Sequence, residues 1–200
     1  LTVAVLGAEL EEASGWLELA IERIERCAAL QLTEDGAQVE ATPGYHGVVT
    51  GMLLKAETLL NDTQRALSNE TRERIGRAVM HNVNATRPDG CSVPVGDNNP
   101  YLTVGTALDA FYARGDSRPL GAFRTLAGEQ AIRRQVLGDR SPLADPERTL
   151  SALAETPAIG LPRIWHQRQV KQVGLRTSTS PEAFMVYVNC QTVKANGHSD

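Results

Sequence analysis

The chain changes its hydrophobic period once, near Pro157, and that single switch limits the folds open to it. Up to that point apolar residues recur at three- and four-residue spacing, the signature of helices that bury one face. Beyond it, apolar and polar residues alternate loosely from Ile164 to Ser178, a turn falls at Thr177 to Pro181, and Ala183 to Cys190 is an apolar run centred on Val186, Tyr187 and Val188. Helices followed by strands argue for an α+β chain in two domains, 1–157 and 158–200, and against an alternating α/β sheet.

Within the helical part, Leu1 to Glu12 reads as the middle of a helix, and Ser14 is placed to cap a second one carrying Leu17, Ala20, Ile21, Ile24, Cys27 and Ala28 as far as Leu32. Thr42 suits an N-cap and Pro43 the first helical position, where a missing N–H costs nothing. Tyr45 and His46 then fall in the first turn, and Tyr45, Val48, Val49, Met52, Ala56, Leu59 and Leu60 draw one apolar stripe. A further helix follows Ser68, with Ile75, Ala78 and Val79 inward. The loop from Asn84 to Pro100 is too long for a plain connection, which makes it a candidate functional element. Tyr101 to Ala113, Leu120 to Val136 and Pro146 to Glu155 complete the helices. Helix pairs joined by loops on alternating sides suit a solenoid or toroid.

Composition removes several partners. Twenty Lys and Arg interleaved with twenty-four Asp and Glu, a net charge of -4, leave no basic stripe for nucleic acid and no polybasic patch for a membrane surface. No apolar run reaches the roughly 18 to 20 residues that span a bilayer. Cys27, Cys91 and Cys190 match no zinc spacing and read as free or buried thiols. Both ends read as cut, so a leader peptide is expected to lie outside this stretch.

Four features carry a resemblance. The segment 31–46, with Glu34, Asp35 and Gly36, then Glu40, then Thr42, Pro43, Gly44, Tyr45 and His46, resembles the heparinase II/III and oligoalginate lyase pattern, in which a Tyr-His pair follows an acidic, glycine-bearing loop. Pro88, Asp89 and Gly90, followed by Gly96 and Asp97, resemble the loop that closes the toroid in these lyases. Gly174, Leu175 and Arg176 ahead of a strand, and Gly197, His198, Ser199 and Asp200 at the end, complete the set. The resemblance implies a partial (α/α) toroid joined to the start of an antiparallel β-sandwich, and cleavage of an acidic polysaccharide by β-elimination. It also implies a secreted or periplasmic enzyme.

Elimination at a uronate needs the C5 proton removed and a proton delivered to the leaving O4 oxygen. A phenol can do both in turn once its pKa, about 10 in a model peptide, is brought toward the working pH. Tyr45 at a helix start suits this role, because the local positive potential favours a phenolate and attracts an anionic sugar. That dipole supplies only about 0.3 to 1 kcal/mol, so other groups must assist. The resemblance offers His198 as the second catalytic residue, and His46, Glu40 and Arg176 as substrate contacts. The family attributes neutralisation of the substrate carboxylate to an Asn that precedes the Tyr-His motif, and Asn82, Asn84 and Asn98 do not match its place. The 200 residues alone are therefore expected to be weakly active or inactive.

No cofactor is required for this chemistry. A structural zinc held by His198 and Asp200 is the alternative use of that terminus, although two ligands are not a site. Two other functions stay open on the residues: a glycoside hydrolase using Asp35 and Glu40 as acid and base, and a carbohydrate-binding fragment without catalysis.

Overall fold

The structure, a computed structural model, describes residues 1–96, 98–139, 144–180 and 182–190. Among these residues eight helices precede three strands: α1 (Thr2–Leu6), α2 (Ala13–Gln31), α3 (Pro43–Leu60), α4 (Asn69–Asn84), α5 (Val104–Arg114), α6 (Arg118–Ala127), α7 (Glu129–Gly138), α8 (Pro146–Glu155), β1 (Ile164–Gln167), β2 (Gln172–Arg176) and β3 (Met185–Asn189).

Capping chemistry sets several of these boundaries. Pro43 opens α3, the Ser68 hydroxyl accepts the Thr71 N–H at the start of α4, and the Asp145 carboxylate accepts the Arg148 N–H at the start of α8. Ser14 does not cap α2, which begins one residue earlier with Glu12 at its N-cap. The stretch expected as one helix from Leu120 to Val136 is two, because Gly128 takes φ +77° and turns the chain between α6 and α7.

The helices stack in two layers. His46 of α3 meets Ala78 and His81 of α4, while Glu57 of α3 meets Arg72, so α3 and α4 form an antiparallel hairpin. Tyr101 reaches Pro43 and Arg114 reaches Glu57, so α5 runs parallel to α3 beside it. Glu25 meets the Ser68 N–H, and Arg74 meets the Leu32 carbonyl, which sets α2 parallel to α4 in the other layer. Between the layers lies a core of Ala28, Leu32, Leu53, Leu54, Leu60, Ile75, Ala78, Val79 and Ala110. A second core under α5 to α8 gathers Leu108, Phe111, Phe123, Ile132, Val136 and Leu153.

The strands form one antiparallel sheet in the order β1-β2-β3, with Trp165, Gly174 and Tyr187 side by side across it and Gln167 opposite Gln172. Its inner face sits on the end of the helical layers that carries the start of α3. Gln172 Nε2 donates to the Ala41 carbonyl at 2.7 Å, Arg176 Nη2 donates to the Asn84 carbonyl, and Gln169 bridges to Glu34 and Asp35. The change from helix to strand thus falls between α8 and β1. Of the expected sandwich, this sheet is the part among the described residues. Cys27, Cys91 and Cys190 are free thiols, and no helix among the described residues is long and apolar enough to cross a membrane.

Candidate functional site: a groove between α3 and α5

The outward face of α3 is not the polar one. Tyr45 is 39% exposed, Val48 56% and Met52 67%, whereas the polar residues His46, Thr50 and Glu57 are buried. The apolar stripe read from the sequence is therefore split, with Ala56 and Leu60 buried and Tyr45, Val48 and Met52 facing out. The outward set lines a groove of about 630 Å³ between α3 and α5, together with Thr42, Lys55, Tyr101, Leu102, Thr106 and Asp109.

Tyr45 stands at the mouth of this groove in the first turn of α3. Thr42 makes no capping bond to that turn, its hydroxyl facing the Glu40 carbonyl at 3.5 Å. The turn is held from the other side by Tyr101, whose hydroxyl donates to the Pro43 carbonyl at 2.9 Å. Burial raises the Tyr101 pKa above its ordinary value, against the smaller lowering effect of Asn82, so this second phenol keeps its proton and acts as a donor. Gly47 makes the approach possible, since a Cβ there would lie 2.1 Å from the Tyr101 hydroxyl.

His46, adjacent in sequence, points the other way. Its ring is 2% exposed, and Nε2 lies 2.8 Å from the Ala78 carbonyl. A carbonyl only accepts, so Nε2 carries the proton. Burial drives the pKa down to about 4, against the smaller raising effect of Ala78, and the imidazole is neutral near pH 7. His46 packs edge-on against His81 at 4.5 Å, whose own pKa is depressed by burial and then by His46. With the Gln167 amide turned so that its oxygen faces His81 Nδ1 and its nitrogen faces Asp35, both contacts are 3.0 Å. This histidine pair ties α3 and α4 to the sheet.

Arg176 is not the solvated strand-end residue that its position suggests. It is 4% exposed, with its guanidinium over the Trp165 ring at 4.9 Å and Nη2 on the Asn84 carbonyl. His46 and Arg176, expected as substrate contacts, therefore have no opening to the groove, because each is enclosed by the elements it joins. Glu40 is exposed on the loop before Tyr45. Asp35, one of the two carboxylates a hydrolase would use, is engaged by the Thr33 hydroxyl at 2.6 Å and by the Gln169 N–H at 3.4 Å. Asp97, His198 and Asp200 lie outside the described residues. Among the described residues no three His, Cys, Asp or Glu side chains come together as a metal site.

Sequence reasoning passed over Tyr101, Lys55 and Asp109. The signal was available: Lys55 and Glu57 are the only charged residues of α3, and Asp109 and Arg114 the only ones of α5. A lone charge in an apolar helix needs a partner or an opening.

Comparison with known proteins agrees with this architecture. A solved heparinase III gene product superposes with a TM-score of 0.65 at 17% identity, covering 94% of this chain and 26% of that one. The same product with methylated lysines gives a TM-score of 0.60 at 16% identity, covering 91% and 25%. The chain thus spans about a quarter of the solved proteins it resembles, and at this identity the likeness is one of fold. No curated protein matches the sequence. Residues 1–108 match the family described as Heparinase II/III N-terminus, and the chain belongs to that family.

Proposed function

We propose that this chain forms part of a polysaccharide lyase that cleaves a uronic-acid-containing glycan by β-elimination, with Tyr45 as the acid and base. The observation that carries this reading is the position of Tyr45: exposed at the mouth of the α3/α5 groove, in the first turn of a helix. There it meets a sugar in the cleft while the helix terminus favours negative charge on both phenolate and substrate. The ionised phenol takes the C5 proton, the C4–O4 bond breaks as the C4–C5 double bond forms, and the phenol returns the proton to the departing O4.

The half-buried donor that holds the Tyr45 turn supports the same assignment. Tyr101 fixes the turn without competing for the proton, because its own hydroxyl is committed to the Pro43 carbonyl. His198 remains the proposed second catalytic residue, with Asp200 and a structural zinc as the alternative for that terminus. Glu40 is the proposed contact at the rim. The hydrolase reading is weaker, since Asp35 is held within its turn and against the sheet. An enzyme of this kind works outside the cytoplasm, where its polymeric substrate is met.

Turnover of alginate and heparan sulfate, followed by the near-ultraviolet absorbance of the unsaturated product, tests the proposal. In a protein that includes this chain and shows such turnover, Tyr45→Phe is expected to lower kcat by roughly two to four orders of magnitude. Unchanged turnover in that variant, or a product without the double bond, overturns it.

A further inference from the structure

The four charges on α3 and α5 are used in two different ways. Glu57 and Arg114 close on each other, with Nε to Oε2 at 2.6 Å and Nη2 to Oε1 at 2.7 Å, inside the helix interface. Lys55 and Asp109 form no such bridge among the described residues. Both instead line the groove at the end away from Tyr45, and the Asp109 Oδ2 lies over the bare backbone of Gly51.

We propose that this end of the groove is a subsite for the anionic substituent of a sugar ring beyond the one that reacts, with Lys55 as the residue that binds it. This rests on the lyase reading above for its substrate, though its test does not. Lys55 stands ten residues after Tyr45 on one helix, a separation of about 15 Å along the axis. A ring seated against Tyr45 leaves Lys55 to face its neighbour in the chain. The floor between them suits a sugar. Tyr45, Met52, Tyr101 and Leu102 line it with apolar surface for a ring face.

Asp109 sets the selectivity of this end. Its carboxyl is half-buried, and burial first, then Asp139, raise its pKa to about 6, against the lowering effect of Lys55. Ionised, it partly neutralises Lys55. Protonated, it donates a hydrogen bond to a ligand oxygen and leaves the ammonium to the ligand's anion.

Binding of size-defined oligosaccharides to the chain, measured by calorimetry, tests the subsite independently of turnover. The probes are di- and tetrasaccharides from alginate, which carry carboxylate alone, and from heparan sulfate, which carry sulfate as well. Lys55→Met is expected to weaken tetrasaccharide binding by roughly tenfold to a hundredfold, the range for a charge-assisted hydrogen bond. Disaccharide binding should change by less than about twofold, and Lys55→Arg should restore most of the tetrasaccharide affinity. A loss confined to heparan sulfate probes identifies sulfate as the anion, whereas an equal loss on alginate probes identifies carboxylate.

Tetrasaccharide binding indifferent to Lys55→Met, or a loss equal for both lengths, overturns the subsite. So does failure of the unaltered chain to bind either tetrasaccharide more tightly than the disaccharide. Length-dependent binding that needs Lys55, together with a product lacking the double bond from a protein that includes this chain, overturns the lyase reading and leaves the subsite standing.

Discussion

The Tyr101 hydroxyl donates to the carbonyl of Pro43, 58 residues earlier in the chain, across 2.9 Å. That bond pins the turn that presents Tyr45, using a residue at the end of the long loop expected to be functional. Tyr101→Phe removes the pin and keeps the ring. With Tyr45 in the proposed role, a protein that includes this chain is expected to show kcat reduced about tenfold with KM little changed, because the groove is intact and that phenol is less well placed. Gly47→Ala should act in the same direction and more strongly, since its methyl meets the Tyr101 hydroxyl. A Tyr101→Phe enzyme with unchanged kcat, or a loss confined to KM, removes Tyr101 from any positioning role.

Glu57 and Arg114 give a prediction about stability. Their two short hydrogen bonds are enclosed between α3 and α5, with the Glu57 side chain 6% exposed and Arg72 a further 3.7 Å away. Glu57→Ala strands the Arg114 charge in the interface, a loss of about 3 to 5 kcal/mol. For a chain of this size that lowers Tm by roughly 10 °C. Replacing both residues by methionine should recover most of the loss, because no buried charge is then left without a partner. Thermal unfolding followed by circular dichroism reads both variants, and a single variant as stable as the parent contradicts the buried-pair account.

Acid should loosen the helical layers before it protonates most carboxylates. His46 has a folded pKa of about 4 against 6.5 in the unfolded chain, so between these values the unfolded state binds a proton that the folded state refuses. Stability is complete above about pH 6.5 and falls as the pH drops toward 4, by on the order of 3 kcal/mol from this residue. His81 acts in the same direction. Asp109, its pKa raised by burial, acts oppositely: the folded state holds its proton to higher pH, so its contribution weakens as pH rises through the same window. His46→Gln, which keeps a donor for the Ala78 carbonyl, should flatten the pH dependence of Tm between 4 and 6.5. An unchanged slope contradicts the neutral buried imidazole.

Local signals in the sequence located α3, α4 and α8 because Pro43, Ser68 and Pro146 fix the backbone at those points whatever surrounds them. The face that α3 turns to the core was less legible. Hydrophobicity alone draws Tyr45, Val48 and Met52 into one stripe with Ala56 and Leu60, while the fold turns those three outward and buries His46, Thr50 and Glu57. The polar residues can be buried because Ala78 of α4 and Arg114 of α5 supply partners, and those partners are distant in sequence. Arg176 was misjudged for the same reason: its surroundings are Trp165 and Asn84, the second 92 residues away. Tyr45 itself was found from its motif at a helix start, and its groove only from the pairing of α3 with α5.

Two bonds across the seam between the sheet and the helices end on main-chain oxygens. Ala41 receives Gln172 and Asn84 receives Arg176, each from a side chain withdrawn from solvent. Parting the two would leave the aromatic platform under a guanidinium wet on one side, and would separate bonds that solvent could replace only by flooding the junction. The strands are thereby mounted on the helical ends as a bracket rather than a door. Under the proposed function, admission and release of a sugar polymer would then fall to side chains along the trough, with the unbranched Met52 the most adaptable of them.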